Sequence, residues 1–272
     1  MTCENRQAHA VGMRGPQRGL KAFVQKTSPG KLTKGKFRGY RAIDADGCYC
    51  GPMLKGITKL LHQNLFSDGT LDDAAISSTE WTPGTWKGTN GGLRRGKAVD
   101  SQVSRLAGAG SSTREKSSKF KFTTLTFSAL EKAGLEPLLG QRVVLSRNNG
   151  IATAADMICL HAASNSLVVV ELKCGFSGNR TLPAVYKGRL QKMKAPCGGA
   201  DDCVLNRHFA QLAVTRHLFA TEPRLCSQLK KQFGITEIRG VLLYVCDRDT
   251  QIHFLRNWWE KRGAALVEKL SQ

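Results

Sequence analysis

Three side chains near the middle of the chain have types and spacing that could do chemistry together. Asp156 stands among Ala154, Ala155 and Met157, and Glu171-Leu172-Lys173 closes the apolar run Leu167-Val168-Val169-Val170. Two carboxylates brought together repel, and each is pushed toward its protonated form unless a cation lies between them. Lys173 supplies part of that charge. A hard divalent ion such as Mg²⁺ supplies more, since it takes one or two protein carboxylates and leaves positions for water and phosphate oxygens. A metal so held polarises a phosphate ester and makes a water nucleophile more acidic. The ammonium is then placed to orient or deprotonate that water and to neutralise charge in the transition state.

The meeting of these groups depends on a hairpin. Residues 152–161 and 166–173 read as strands, and the polar run Ala162-Ala163-Ser164-Asn165 between them reads as the turn. Alternation along a strand puts Glu171 and Lys173 on one face and Val170 and Leu172 on the other. A turn centred beside Ala163 sets position 156 opposite position 171. The Glu-x-Lys tripeptide alone carries nothing in so lysine-rich a chain, and a solvated surface ion pair is the competing reading. Its place at the end of an apolar strand, with an aspartate opposite, gives it meaning.

Further elements flank the hairpin. Apolar spacing predicts helices over 56–66, 97–107, 124–133, 204–221 and 257–270, and strands over 141–146, 240–246 and 251–255. From residue 94 onward the order is helix, three strands, helix, two strands, helix, which implies an α/β or α+β layered domain with a mixed central sheet flanked by helices. The Pro- and Gly-bearing stretch 81–95 reads as a loop, with Trp81 and Trp86 available to stack on bases. Residues 42–93 as a whole are expected to be an irregular subdomain or linker. Residues 1–41 hold ten basic side chains, one acid (Glu4) and no periodicity. The expectation there is a disordered extension, whose removal should weaken polyanion binding and leave the fold intact.

Across all 272 residues Lys plus Arg number 41 against 21 Asp plus Glu, a formal net charge of +20. That excess argues against an acidic-surfaced metabolic enzyme and for a polyanionic partner, nucleic acid before membrane. Nine scattered cysteines suggest reduced thiols and an intracellular protein. No apolar run is long enough to span a bilayer. Nucleus or cytoplasm is expected, with an organelle left open by the Arg-bearing, acid-poor start.

Asp156, fourteen intervening residues, then Glu171-Leu172-Lys173-Cys174-Gly175 resembles the central signature of the PD-(D/E)XK nuclease superfamily, nearest its lambda-exonuclease and RecB-like branch. Upstream, Gly96-Lys97-Ala98-Val99-Asp100 resembles the glycine-led helix of that branch's first motif. Downstream, Asn206-Arg207-His208-Phe209-Ala210-Gln211-Leu212 resembles its glutamine helix. The resemblance covers about residues 94–260 and implies a restriction-endonuclease-like core in a nuclease domain spanning 94–272. It implies Asp156, Glu171 and the Leu172 carbonyl as ligands of Mg²⁺ or Mn²⁺, Lys173 as the catalytic lysine, and Gln211 as the group orienting it. Asp100 stands where relatives often carry His or Glu, and there is no proline before Asp156; the role of Asp100 as a further ligand stays open.

The function so implied is metal-dependent hydrolysis of DNA, with double-stranded ends or branched DNA as substrate. Exonuclease action in recombination, repair or replication is favoured by the kind of relatives alone. A structure-specific endonuclease and a noncatalytic nucleic-acid-binding protein of the same fold are the alternatives, and ring-forming relatives leave homo-oligomerisation open. Arg94, Arg95, Arg207 and His208 are the candidate DNA contacts, with solvated basic surface, or a structural histidine at 208, as the plainer reading. Cys48 with Cys50, and Cys197 with Cys203, lack zinc-finger spacing.

Overall fold

The computed structural model describes residues 15–33, 39–72, 91–246 and 249–272. The central pattern is what the apolar runs require. Strand β4 (Leu135–Ser146), β5 (Ile151–His161) and β6 (Ser166–Cys174) form an antiparallel meander, and β6 lies parallel to a later strand, β9 (Ile238–Val245). An antiparallel β10 (Thr250–Phe254) closes that side. Asn165, at φ 45°, ends the one-turn 3₁₀ segment that reverses the chain between β5 and β6. The pairing Met157↔Val170 through His161↔Ser166 has the register expected from the turn position.

Helices cover both faces. On one side α3 (Gly91–Leu106) and α5 (Lys121–Lys132) bury Val99, Val103, Phe122 and Leu130 against Val168, Val170 and Leu243. On the other, α2 (Ile57–Asn64) and α6 (Val204–Ala220) bury Leu61, Leu212 and Phe219 against Ile158, Val169 and Leu242. Strand β6 thus sends alternate side chains into two cores, each full burial being worth about 1.5–3 kcal/mol. The chain is mixed α/β around a mixed sheet. Among the described residues no helix is long and apolar enough to cross a membrane.

The N-terminal third departs from expectation. Residues 1–14 and the stretch 73–90, with Trp81 and Trp86, lie outside the described residues. Residues 15–33 and 39–41 are ordered structure and not a disordered extension: α1 (Gly15–Lys26) buries Leu20 and Val24, and the strands β1 (Gly30–Thr33), β2 (Gly39–Ile43) and β3 (Tyr49–Gly56) add a meander to the sheet. The expected irregular subdomain over 42–93 is therefore largely sheet and helix where it is described. The order of α1 rests on distant partners that composition does not reveal, such as Gln17 Nε2 donating to Glu136 Oε2 at 2.6 Å. The helix expected from residue 97 begins at Gly91, so the loop expected through 95 is shorter.

Three further elements, beyond α1 and β1–β3, escaped the sequence reading. They are α4 (Ser111–Ser117), α7 (Pro223–Phe233) and a two-stranded ribbon of β7 (Val185–Tyr186) and β8 (Arg189–Leu190). The terminal helix is divided into α8 (Asn257–Glu260) and α9 (Gly263–Ser271).

The ribbon belongs to a long insertion between β6 and α6 that is anchored by one buried carboxylate. Asp202 is fully buried; it accepts from the Ser67 amide and hydroxyl at 2.6 Å each and from Arg207 Nε at 2.6 Å and Nη2 at 2.9 Å. Breaking such a pair leaves a buried cation without its partner and costs about 3 kcal/mol. Asp202→Asn should therefore lower the denaturation midpoint clearly, and an unchanged urea midpoint would show that the anchor is dispensable.

Candidate active site

The sheet splits where Asp156 and Glu171 stand. One edge of β5 pairs with β4 throughout, while the other is shared by β3, at Ile151 and Ala152, and by β6, from Met157 onward. Among the described residues, no strand pairs with 153–156 on that second edge. Opposite Asp156 on β4 sits Gln141 at φ 53°, between the pairs Gly140↔Met157 and Arg142↔Ala155. A left-handed residue inside a strand kinks it. On the other edge, just past the Met157↔Val170 pair, the Asp156 carboxylate accepts from the Leu172 amide at 2.8 Å.

Beyond the split, β6 projects Glu171 and Lys173 from the face that packs on α6, as alternation demands. There Lys173 Nζ donates to Glu171 Oε1 at 2.7 Å and to Gln211 Oε1 at 3.1 Å, and Gln211 Nε2 donates to Glu171 Oε1 at 2.6 Å. The three side chains close a triangle. Glu171 is 2% exposed, and its second oxygen, Oε2, is buried with no hydrogen-bond partner among the described residues. An orphaned buried carboxylate oxygen is unfavourable unless something positive occupies the space beside it.

Asp156, Glu171, Lys173, Gln211 and Asp100 line one cleft of about 570 Å³. Burial first, then the charges of Glu171 and Asp100, push the Asp156 carboxyl well above the ordinary carboxylate range, against the pull of Lys173 and the Leu172 amide. Burial likewise raises Asp100. For Lys173, burial works to lower the value, but Glu171 and Asp156 outweigh it and hold the ammonium above its ordinary range. The lysine is therefore a resident cation, suited to stabilising charge more than to removing a proton.

Asp100 stands apart from the pair in one respect, because Gln141 Nε2 reaches both of its oxygens, at 2.8 and 3.0 Å. Among the described residues no three His, Cys, Asp or Glu side chains are grouped to hold a metal ion. Asp156, Glu171 and the Leu172 backbone nonetheless fit a hard divalent ion, which needs only one or two protein carboxylates. The unpaired Glu171 Oε2 and the excess of negative charge over Lys173 are the features that such an ion would satisfy.

The four candidate DNA contacts fare differently. Arg94 is exposed beside the cleft. Arg95 is 2% exposed, lies over the Phe122 ring at 5.3 Å and lines the cleft from below, so it is not a surface contact. Gly175, at φ 89°, makes room for it: a Cβ there would overlap Arg95 Nη2. Arg207 is engaged by Asp202 and lies over the Phe66 ring at 4.7 Å, which removes it from the phosphate contacts. His208 lines the cleft with Nδ1 bonded to the Tyr244 hydroxyl at 2.7 Å. Burial, then Lys173, Arg180 and Arg207, hold it well below the usual histidine range, so it is a neutral structural imidazole and not a cationic contact.

Sequence reasoning missed Gln141, Tyr244 and Thr58, which lines the cleft from α2. Tyr244 was accessible through register, since it pairs with Lys173 across β6 and β9. Gln141 depends on a backbone kink that no periodicity announces.

No protein-family model, curated protein or solved structure matches the chain.

The triangle makes a sharp expectation for Gln211. Its amide holds both Glu171 and Lys173, and small misplacements of such groups are expensive in rate. Gln211→Ala should lower the single-turnover cleavage rate about 100-fold while changing DNA affinity little. An unchanged rate would make it ordinary helix packing.

Proposed function

We propose that the protein is a metal-dependent deoxyribonuclease of the PD-(D/E)XK kind, with a restriction-endonuclease-like core about the split between β5 and β6. The observation that carries this reading is the convergence of Asp156, Glu171, Lys173 and Gln211 in one cleft, with Glu171 Oε2 buried and unpaired.

Asp156, Glu171 and the Leu172 carbonyl would hold Mg²⁺ or Mn²⁺, with Asp100 close enough to add to the field. When bound, the ion supplies Lewis-acid polarisation of the scissile phosphate and counter-charge for the carboxylates. The chain's own residues do the rest. Lys173 Nζ, kept protonated by its neighbours, presents a hydrogen bond and a positive charge where negative charge develops on the phosphoryl oxygens. Gln211 locks the rotamers of Glu171 and Lys173 before substrate arrives. The bond from the Leu172 amide holds Asp156 against β6, and Gln141 holds Asp100 beside it. Arg95, seated under the cleft by Gly175, adds a fixed positive charge that favours an anionic substrate there.

Incubation of the purified protein with labelled linear, circular and branched DNA tests the reading. Cleavage is expected with Mg²⁺ or Mn²⁺ and none in EDTA. Full activity in chelator would overturn the metal. Tight binding without cleavage under any divalent ion would leave a nucleic-acid-binding protein and overturn hydrolysis. The linear and circular substrates separate exonuclease from endonuclease action.

A further inference from the structure

The open edge of β5 borders a second hollow, about 630 Å³, beside the cleft. Thr153 lies in it, three strand residues before Asp156, which is about 10 Å at the rise of an extended chain. Thr58, on the first turn of α2, lines both spaces, so they adjoin. Lys55 and Lys59 flank the hollow and form no ion pair among the described residues. Gly56, Ile57 and Thr58 at the start of α2 line the hollow, and no side chain among the described residues caps that end, which carries the positive end of the helix dipole. Thr153 is only 4% exposed, lines the hollow, and its hydroxyl makes no hydrogen bond among the described residues. A hydroxyl with no hydrogen bond among the described residues, on a largely buried threonine, two ammonium groups without ion pairs and uncapped amides form a set that an anion completes.

We propose that this hollow is a subsite for a backbone phosphate of the bound strand, neighbouring the phosphate that is cleaved. The identity of the strand rests on the nuclease reading; the chemistry of the subsite does not. Lys55 and Lys59 neutralise the phosphate, Thr153 and the α2 amides donate to its oxygens, and Tyr40 walls the outer side. Gripping the strand one step from the split fixes which phosphodiester enters the cleft, so the subsite sets the position of cleavage along the strand.

The test is binding in EDTA, where no cleavage is read, of a short single-stranded DNA labelled on a base and carrying hydroxyl ends, so that every phosphate is internal. Affinity is measured over a salt series for the wild type, Lys55→Gln/Lys59→Gln, Thr153→Val and a charge-matched control, Lys230→Gln/Lys231→Gln on α7, which leads into the opposite end of β9. The site double variant should lose about tenfold in affinity at low salt and about 0.7 from the log–log salt slope, the share of one phosphate. Thr153→Val, near-isosteric and charge-neutral, should lose about fivefold with the slope unchanged. The control should keep the wild-type slope. Equal losses in the site variant and the control would show that only the general positive field is at work and would overturn the subsite. Wild-type cleavage together with unaltered binding in both site variants would overturn the subsite and leave the nuclease reading standing. Selective loss of binding in a protein that cleaves nothing would uphold the subsite and overturn hydrolysis.

Discussion

Glu171→Gln should lower single-turnover cleavage about 1,000-fold while DNA affinity is preserved or improved. The substitution keeps volume and reach, and the strand is held by Val168, Val170 and Leu172 on its other face. It removes a negative charge from the cleft, which on the proposed nuclease reading relieves repulsion with the substrate phosphate in the ground state. It also replaces Oε2, the buried oxygen without a partner, by an amide nitrogen or a weaker oxygen. The site then loses the donor that the ion would use. Lys173→Met should lose rate as well, yet weaken binding, because it deletes the ammonium bonded to Glu171. Opposite movements of affinity in the two variants would mark the cleft as the place where phosphate and metal meet. Wild-type cleavage by Glu171→Gln would refute the site.

Removal of residues 1–28 should collapse the fold rather than trim a tail. Arg142, on β4, has a fully buried side chain. Its guanidinium donates to the Val24 carbonyl at 2.5 Å, the Thr27 carbonyl at 3.3 Å and Glu222 Oε2 at 2.7 Å, and it lies over the Phe219 ring at 5.1 Å. Truncation strips two of those three acceptors from a buried cation and exposes the surfaces that Leu20 and Val24 cover. Two apolar side chains contribute about 3–6 kcal/mol, and unsatisfied charge-bearing donors add about 2 kcal/mol more. Against a total stability of about 5–15 kcal/mol the loss is severe. A fall of at least about 10 °C in Tm, or failure to yield soluble protein, is expected. Val24→Asp, a point change in the full chain, should fall in the same direction. A truncated protein that melts like the wild type would restore the picture of a dispensable extension.

The contrast between these two cases shows what the sequence makes legible. The hairpin of β5 and β6 was readable because its apolar runs, its turn and the face of each side chain follow from a period of two. The register came with the turn, and with it the approach of Asp156 to Glu171. Gln211 is singled out by the resemblance of residues 206–212 to a glutamine helix, on an element that apolar spacing makes legible. The N-terminal elements were not, because α1 has few apolar residues and its order comes from pairing with side chains more than a hundred positions away. Arg207 and His208 looked like surface cations on a helix; only the tertiary structure reveals Asp202 and Tyr244 beside them. The split in the sheet was equally hidden, since it depends on two strands sharing one edge of β5.

The central claim is that the split between β5 and β6 seats a divalent ion between Asp156 and Glu171. Anomalous diffraction from crystals of the full chain grown with Mn²⁺ and a short DNA measures this directly. The account predicts a peak at about 2.0–2.2 Å from oxygens of Asp156 and Glu171, with a phosphate oxygen on its open side. A cleft that binds DNA but holds no anomalous peak, with Glu171 still paired only to Lys173 and Gln211, would contradict it.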